Sequence, residues 1–209
     1  MKTHSRLQIL CTAFLLCTSM NLWAQPDDIG TWTSLTLKKN WKAITGDVRI
    51  EHRSEQNATA LDCWFIRPNI SYKLTDWFRT EGCYYYIRKT SSSSHRTLLG
   101  FTTMVHSGAL SCSLTERWQY NYVIETGASS HVIRSKFNTA FQIEDTPFHP
   151  YIATEIFTAT HWNESRHYLG CTIKRQDINH SMDIFYEYRL RSNHSTQEHI
   201  IGIGYSLSL

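Results

Sequence analysis

Residues 64–74 read WFIRPNISYKL, and this stretch decides the fold class. Its even-numbered positions, from Trp64 through Ile66 and Ile70 to Leu74, are apolar or aromatic, whereas most odd-numbered positions are polar. A period of two is the signature of a β-strand with one apolar face, because a helix would scatter these residues around its axis. Residues 182–191 and 201–209 show the same alternation. The chain is therefore predicted to be all-β.

The same pattern predicts eleven strands along the chain. Most are long for a soluble sheet, and a tilted strand that crosses a bilayer needs about 9–11 residues. No helix is needed after the first 24 residues. We expect an antiparallel, up-and-down transmembrane β-barrel of ten to twelve strands, with strands near 29–38, 43–53, 61–74, 78–89, 95–106, 109–122, 131–144, 149–157, 166–175, 180–191 and 199–209.

A count of eleven strands is unusual, because bacterial barrels usually have an even number of strands. The first predicted strand, 29–38, also alternates least well. It could thread the lumen, a twelfth strand could exist, or ten strands from Ala43 onward could form the barrel alone.

The connections between the predicted strands alternate in length. Short ones follow Lys38, Leu74, His106, Glu144 and Arg175, and longer polar ones lie between them, as in 54–60 and 158–165. Short turns at one end and longer loops at the other are typical of an outer-membrane barrel. In the 106–109 hairpin, a two-residue turn at Ser107-Gly108 predicts that His106 pairs with Ala109, with Glu116 as an outward-facing misfit.

Residues 1–24 have the pattern of a secretory signal peptide: a basic start, an apolar run from Leu7 to Met20 and a small residue, Ala24, before the expected cut at Gln25. No small residue precedes Cys11 or Cys17, so no lipid anchor is expected. Residues 25–209 are expected to form one barrel domain. Export from a Gram-negative cell follows from this pattern.

Composition excludes several classes of protein. The net charge of +3 comes without a basic cluster, which argues against nucleic-acid binding. After the signal peptide, no apolar run reaches the roughly 20 residues of a spanning helix. The mean hydropathy of −0.38 also excludes a helical membrane protein. It fits a barrel, because half of each strand faces a polar lumen.

Four cysteines remain in the mature chain, and no disulfide is expected between them. Cys63 and Cys83 point inward on neighbouring strands, but the register sets Cys83 opposite residues 67–69, about 13 Å from Cys63. Cys112 and Cys171 point outward on strands that are not neighbours. No pair has the spacing of a metal knuckle, and no metal or cofactor is expected.

Charged residues of both signs are predicted to face the lumen. We interpret them as an ion-pair network that fills a narrow barrel, since buried charge is costly unless it is paired. A selective pore or ligand site would instead need a ring of one sign, which the pattern lacks. The inward-facing set is Asp47, Arg49, Glu51, Arg67, Lys73, Arg79, Glu81, Arg117, Arg134, Lys136, Asp183, Glu187, Arg189 and Arg191.

Catalysis is not expected. Lipid hydrolases and deacylases built on barrels place a His and a Ser two positions apart on one strand. Here His106-Ser107, His180-Ser181 and His194-Ser195 are adjacent, so each pair would face opposite sides of a strand. None of these three pairs has the His-x-Ser spacing, and the remaining histidines lie near predicted strand ends or loops.

Aromatic residues cluster near both ends of the predicted strands, as the two interfacial girdles of a membrane barrel would require. Trp41, Trp77 and Phe78 lie near the short turns. The alternative is that these rings form the core of a soluble sandwich. The other girdle is predicted to contain Trp64, Tyr84, Tyr86, Trp118, Tyr120, Tyr122, Trp162 and Tyr188.

Several short motifs recur along nearly all of the mature chain: Trp32 with Leu35 and Leu37, Trp41, Glu51 with Arg53, Pro68, Tyr72-Lys73-Leu74 with Trp77, Tyr84-Tyr85-Tyr86 with Arg88, and Gly202-Ile203-Gly204-Tyr205. Together they resemble the domain-of-unknown-function family 2490, an uncharacterised family of secreted prokaryotic proteins. The resemblance implies an outer-membrane-type barrel with no assigned activity and no catalytic residues to transfer. One departure is the last residue, Leu209, where barrels usually end on an aromatic residue.

The sequence thus predicts a non-enzymatic barrel in the outer membrane, structural or weakly pore-forming. Its expected partners are outer-membrane lipid and the barrel-insertion machinery, and no small-molecule ligand is identified. Two alternatives stay open: a periplasmic β-sandwich or lipocalin-like binder, and a lipid-modifying barrel enzyme.

Overall fold

The computed structural model describes residues 28–160, 162–174, 179–192 and 197–209. The expected signal peptide, 1–24, lies outside the described residues. Within them the chain forms eleven β-strands and no helix long and apolar enough to cross a membrane. The strands are β1 (Asp28–Trp41), β2 (Ile44–Glu55), β3 (Ala60–Lys73), β4 (Phe78–Lys89), β5 (Ser93–Ser107), β6 (Leu110–Val123), β7 (Ser129–Phe141), β8 (Phe148–Thr158), β9 (Trp162–Lys174), β10 (His180–Arg191) and β11 (Glu198–Ser208).

The eleven strands close into one barrel. Each strand pairs antiparallel with the next, and the barrel closes through a parallel pairing of β1 with β11, from Asp28 opposite Glu198 to Lys38 opposite Ser208. The predicted all-β barrel and its strand count are confirmed. The odd number of strands has an explanation that differs from the three possibilities above. β1 is part of the wall, so it does not thread the lumen, and the ten-strand barrel from Ala43 is wrong. An odd number of alternating strands leaves the first and last pointing the same way, so one parallel pair is required.

The alternation in sequence becomes an apolar outer wall and a polar lumen. Ile70, Ile152 and Val105 point outward and expose more than half of their surface, at 59%, 58% and 68%. Side chains from the opposite face of β3 and β8, such as Ser71 and Glu155, are buried inside. Most buried residues therefore lie within the lumen, and the large apolar residues mostly lie outside it.

The two ends of the barrel, called here the Asp28 end and the Leu209 end after the residues that lie there, have connections of similar length. Those at the Asp28 end have four, three, five, three and six residues, and those at the Leu209 end have two, four, two, six and five. The predicted alternation of short turns and long loops is therefore wrong. Strands run further than the sequence pattern suggested, and β9 begins at Trp162, inside a segment expected to be a loop.

The β5–β6 hairpin also differs from its predicted register. Gly108 and Ala109 form the two-residue turn, Ser107 pairs with Leu110, and Gly108 has a φ of +57°. A tight hairpin turn favours glycine where φ is positive, which moves the turn one residue along the chain. Every partner shifts by two positions, so each side chain keeps its predicted face. Glu116 does point outward, where it accepts a hydrogen bond from Ser135 Oγ at 2.7 Å.

The cysteines lie where the register argument put them. Cys83 is opposite Asn69, whereas Cys63 is opposite Lys89, six residues further along β4. Cys63 and Cys83 are buried inside the barrel, and all four described cysteines are free thiols.

Candidate functional site

The predicted inward-facing charges all lie on the lumen side of their strands, but they do not form one uniform network. Ten of the fourteen line a single cavity in the half of the barrel toward the Leu209 end. Glu187 and Arg189 are buried in the other half. The last two lie near the rims, where Lys73 pairs with Asp76 at 2.6 Å and Arg191 with Glu198 at 2.6 Å.

The half of the lumen toward the Asp28 end is filled by buried ion pairs, which we call the ion-pair layer. Arg134 donates to Glu155 at 2.8 Å, Arg189 lies 2.9 Å from Glu187, and Arg166 pairs closely with Glu164. Glu155 is 2% exposed and Glu187 0%. Carboxylates buried this completely need cationic partners to remain charged. The layer consists of Glu51, Arg53, Arg134, Glu155, Glu164, Arg166, Glu187, Arg189 and Glu198.

Trp32 of β1 is the aromatic centre of this layer. The guanidinium carbon of Arg53 lies 3.7 Å from its ring centroid, and those of Arg189 and Arg166 lie at 5.2 and 5.6 Å. A desolvated guanidinium over an indole face is a favourable cation–π contact. The strand whose alternation was poorest in sequence thus supplies a ring that three arginines share.

The sequence analysis missed five members of the ion-pair layer: Arg53, Glu155, Glu164, Arg166 and Glu198. Glu164 and Glu198 fell in segments interpreted as loops, because the predicted β9 and β11 began too late. Glu155 shares its inward face with Tyr151, Ala153 and Phe157, so that face of β8 does not look polar. Arg166 is the first residue of the predicted strand 166–175, and the longer β9 places Glu164 on the same inner face by simple alternation.

A cavity of about 510 Å³ occupies the other half of the lumen. The ion-pair layer forms its floor, through Arg134, Glu155 and Arg166, and its wall reaches Lys38 and Ser206 near the Leu209 end. Small inward side chains leave this space unfilled. The described residues thus form a cup that is closed by charge pairs on one side.

Two ion pairs lie on the wall of this cup. Arg67 Nη2 lies 2.8 Å from Asp47 Oδ1, and Arg117 pairs closely with Glu81. These are the mixed-sign pairs expected from the sequence. Arg49, in contrast, reaches Glu51 only at 3.8 Å and donates from Nε to Thr36 Oγ1 at 3.1 Å.

Comparison with protein families gives a single result. The family model described as protein of unknown function, DUF2490, matches residues 29–199, which is most of the chain. The chain belongs to the DUF2490 family. No curated protein matches it.

In this DUF2490 protein the outer wall carries one serine–histidine arrangement that the sequence analysis missed. Ser165 and His167 lie two apart on β9, with Ser165 Oγ 3.4 Å from His167 Nε2, and His167 Nδ1 lies 3.2 Å from Thr154 Oγ1. The order along the strand, Ser-x-His, is the reverse of the His-x-Ser order expected of a barrel hydrolase. A base oriented by a third group is the logic of a nucleophilic triad. Ser165 is 7% exposed, however, and its third partner is a neutral hydroxyl.

Proposed function

We propose that this chain is an exported β-barrel of the outer membrane whose lumen is closed by its ion-pair layer, so that it is structural rather than freely conducting. The observation that carries the proposal is the inside-out distribution of polarity in a closed barrel. A soluble lipocalin-like barrel would keep its apolar residues inside and its charges outside. Here the exposed wall is apolar and the lumen is charged, which suits a hydrocarbon solvent.

The aromatic residues support the same proposal. Trp41 and Trp77 are exposed on the outer side near the Leu209 end, and Trp64, Trp118 and Tyr122 are exposed toward the Asp28 end. Two belts of amphipathic rings separated by aliphatic side chains match the two interfaces of a bilayer. The partners we propose on this basis are outer-membrane lipid and the barrel-insertion machinery.

Membrane location is tested by fractionation and by one matched pair of variants. Ile184→Arg would put a charge on the outer wall near the middle of β10, and we expect it to cost about 2–4 kcal/mol of insertion free energy. Ser181→Arg on the same strand would enter the open cup and should insert nearly normally. Phe185 is a poorer control, because its ring packs against Gly202. Recovery of the wild-type protein without detergent, or equal defects in both variants, would contradict the membrane proposal.

The closed lumen is tested by conductance in planar bilayers. We expect the wild-type protein to conduct weakly or not at all. The double variant Arg134→Ala/Glu155→Ala removes both charges together and should raise the conductance by opening the ion-pair layer. Large, long-lived conductance steps in the wild-type protein would show that the layer does not close the lumen.

One observation favours a second candidate function, hydrolysis of membrane lipid at the outer wall by Ser165 with His167 as base. We propose that the protein is not an enzyme, because the serine is buried and the orienting group is Thr154. Purified protein in mixed micelles should therefore release no fatty acid from phospholipid. Release that Ser165→Ala abolishes and the outer-wall control Ser135→Ala leaves intact would establish the enzyme instead.

A further inference from the structure

The wall of the cup carries more positive than negative charge. Nine Lys and Arg side chains line it, against five carboxylates. Four of the nine pair with wall carboxylates, as Arg67 does with Asp47, and Arg166 pairs with Glu164 behind the wall. Among the described residues, four cations of the wall are left without a close carboxylate partner.

The four cations are Lys38, Arg49, Arg79 and Lys136, each on a different strand. Among the described residues, no carboxylate lies within the 4.0 Å ion-pair distance of the two lysines or of Arg79. The ammonium of Lys136 instead lies 4.6 Å from the centroid of the Tyr168 ring. Arg49 has only the long contact to Glu51, a carboxylate that Arg53 already holds at 2.7 Å.

Among the described residues, no cation lies within ion-pair distance of one wall carboxylate, Asp183. Its two oxygens accept hydrogen bonds from Tyr151 Oη and Thr172 Oγ1, each at 3.0 Å. These neutral donors satisfy the carboxylate and turn it toward β8 and β9. Counting only the described residues, the side chains that line the cup therefore keep an excess of about three positive charges over their ion-pair partners.

We propose that the cup binds a small anion with two or more phosphate or carboxylate groups, held by Lys38, Arg49, Arg79 and Lys136. Guanidinium and ammonium groups are the side chains that bind such oxyanions most strongly. The volume lies within the roughly 300–1,000 Å³ range of small-molecule pockets. Because the ion-pair layer closes the floor, the anion enters from the Leu209 end. The proposal concerns the interior alone and does not depend on the membrane around the barrel.

The test is calorimetric titration of the mature chain folded in detergent micelles. The free-anion probes are inorganic pyrophosphate and citrate, each measured against sodium chloride of equal ionic strength. We expect saturable binding that sodium chloride does not reproduce. Arg79→Gln/Lys136→Gln should weaken it by about tenfold or more, because two charge-assisted hydrogen bonds are lost. The control Lys39→Gln/Lys42→Gln removes the same charge from exposed residues outside the cup and should bind as the wild type does.

Folding of the double variant is checked by its unfolding midpoint. The midpoint should stay close to that of the wild type, because losing the repulsion between Arg79 and Lys38 offsets losing the contact of Lys136 with the Tyr168 ring. A third probe, dihexanoyl phosphatidic acid, separates the two sources of phosphate. Binding of pyrophosphate or citrate supports a free anion, and binding of the lipid probe alone supports a headgroup in the same site. Failure of all three probes to bind, or equal weakening in the control variant, would overturn the proposal.

Discussion

The two halves of the lumen are built by the same eleven strands, yet one is filled and the other is open. Toward the Asp28 end the inward positions hold large side chains such as Trp32, Phe65 and Tyr85, together with the ion-pair layer. Toward the Leu209 end they hold small ones such as Ser34 and Ser206. Alternation decides which face of a strand is inside, and side-chain size decides whether the inside is full. Charge follows this division only in part. Most arginines of the filled half have close carboxylate partners, but Arg96 there donates from Nε to the amide oxygen of Asn121 at 2.8 Å.

The largest expected difference between the halves concerns the loss of one arginine. Arg134→Met in the ion-pair layer would leave the buried Glu155 with longer contacts alone among the described residues, to Arg117 at 3.7 Å and to Tyr168 Oη at 3.4 Å. We expect a loss of about 3–5 kcal/mol in the free energy of unfolding. Arg79→Met in the open half removes a charge that has no carboxylate within 4.0 Å among the described residues, so its effect should stay within about 0.5 kcal/mol. Urea unfolding of the folded barrels measures both, and equal losses would mean that the halves do not differ in charge pairing.

Two glycines on the inner face of β11 allow the packing of the two halves to be compared without any change of charge. A methyl group at Gly202 would lie 2.0 Å from Cζ of Phe185, whose ring is fixed between Trp32 and Tyr168 at 6.0 Å from each. Gly202→Ala should therefore cost about 1–3 kcal/mol through overpacking.

At Gly204, two residues further into the open half, the nearest atom is the hydroxyl of Ser34 at 3.0 Å, which can turn into the cup. Gly204→Ala should thus cost less than about 0.5 kcal/mol. The same unfolding measurement compares the two substitutions. A larger loss at Gly204 than at Gly202 would place the packed region in the wrong half.

The smallest expected changes in stability come from the two rims of the barrel, and they should be similar at both ends. At the Asp28 end, the Glu125 carboxylate accepts two hydrogen bonds from the backbone N–H of Ser93, at 2.7 and 2.9 Å, and these hold its pKa below the ordinary 4.5. At the Leu209 end, the hydrogen bond from Lys73 holds the pKa of Asp76 below the ordinary 3.8.

A lowered carboxyl pKa stabilises the fold above the ordinary pKa, and that contribution is lost as the pH falls through the folded value. The unfolding midpoints of Glu125→Gln and Asp76→Asn should lie slightly below that of the wild type at pH 6 and converge with it as the solution is acidified. A gap that widens in acid would show that the sign of either shift is wrong. A clear difference between the two ends would show that the rims, and not only the lumen, distinguish them.

Much of this arrangement can be predicted from the sequence, because an alternation with a period of two is visible within a single strand. It predicts the eleven strands and the inward face of residues such as Arg67 and Asp183. It does not predict which half of the lumen is filled, because the inward residues of one level come from strands far apart in sequence. Strand ends were also missed, as at Glu164, because a polar segment looks the same as a loop or as the lumen side of a strand. The parallel pairing of β1 with β11 has no local signal at all.

That pairing also has a consequence for how the barrel forms. The ten antiparallel pairs join consecutive strands and can form while each new strand arrives. The parallel seam joins residues about 170 positions apart, such as Asp28 and Glu198, so its loop-closure entropy is the largest in the molecule. Contacts at such separation slow folding. The seam is thus the natural final step of assembly, and until it closes both β1 and β11 present bare edges to any other strand nearby.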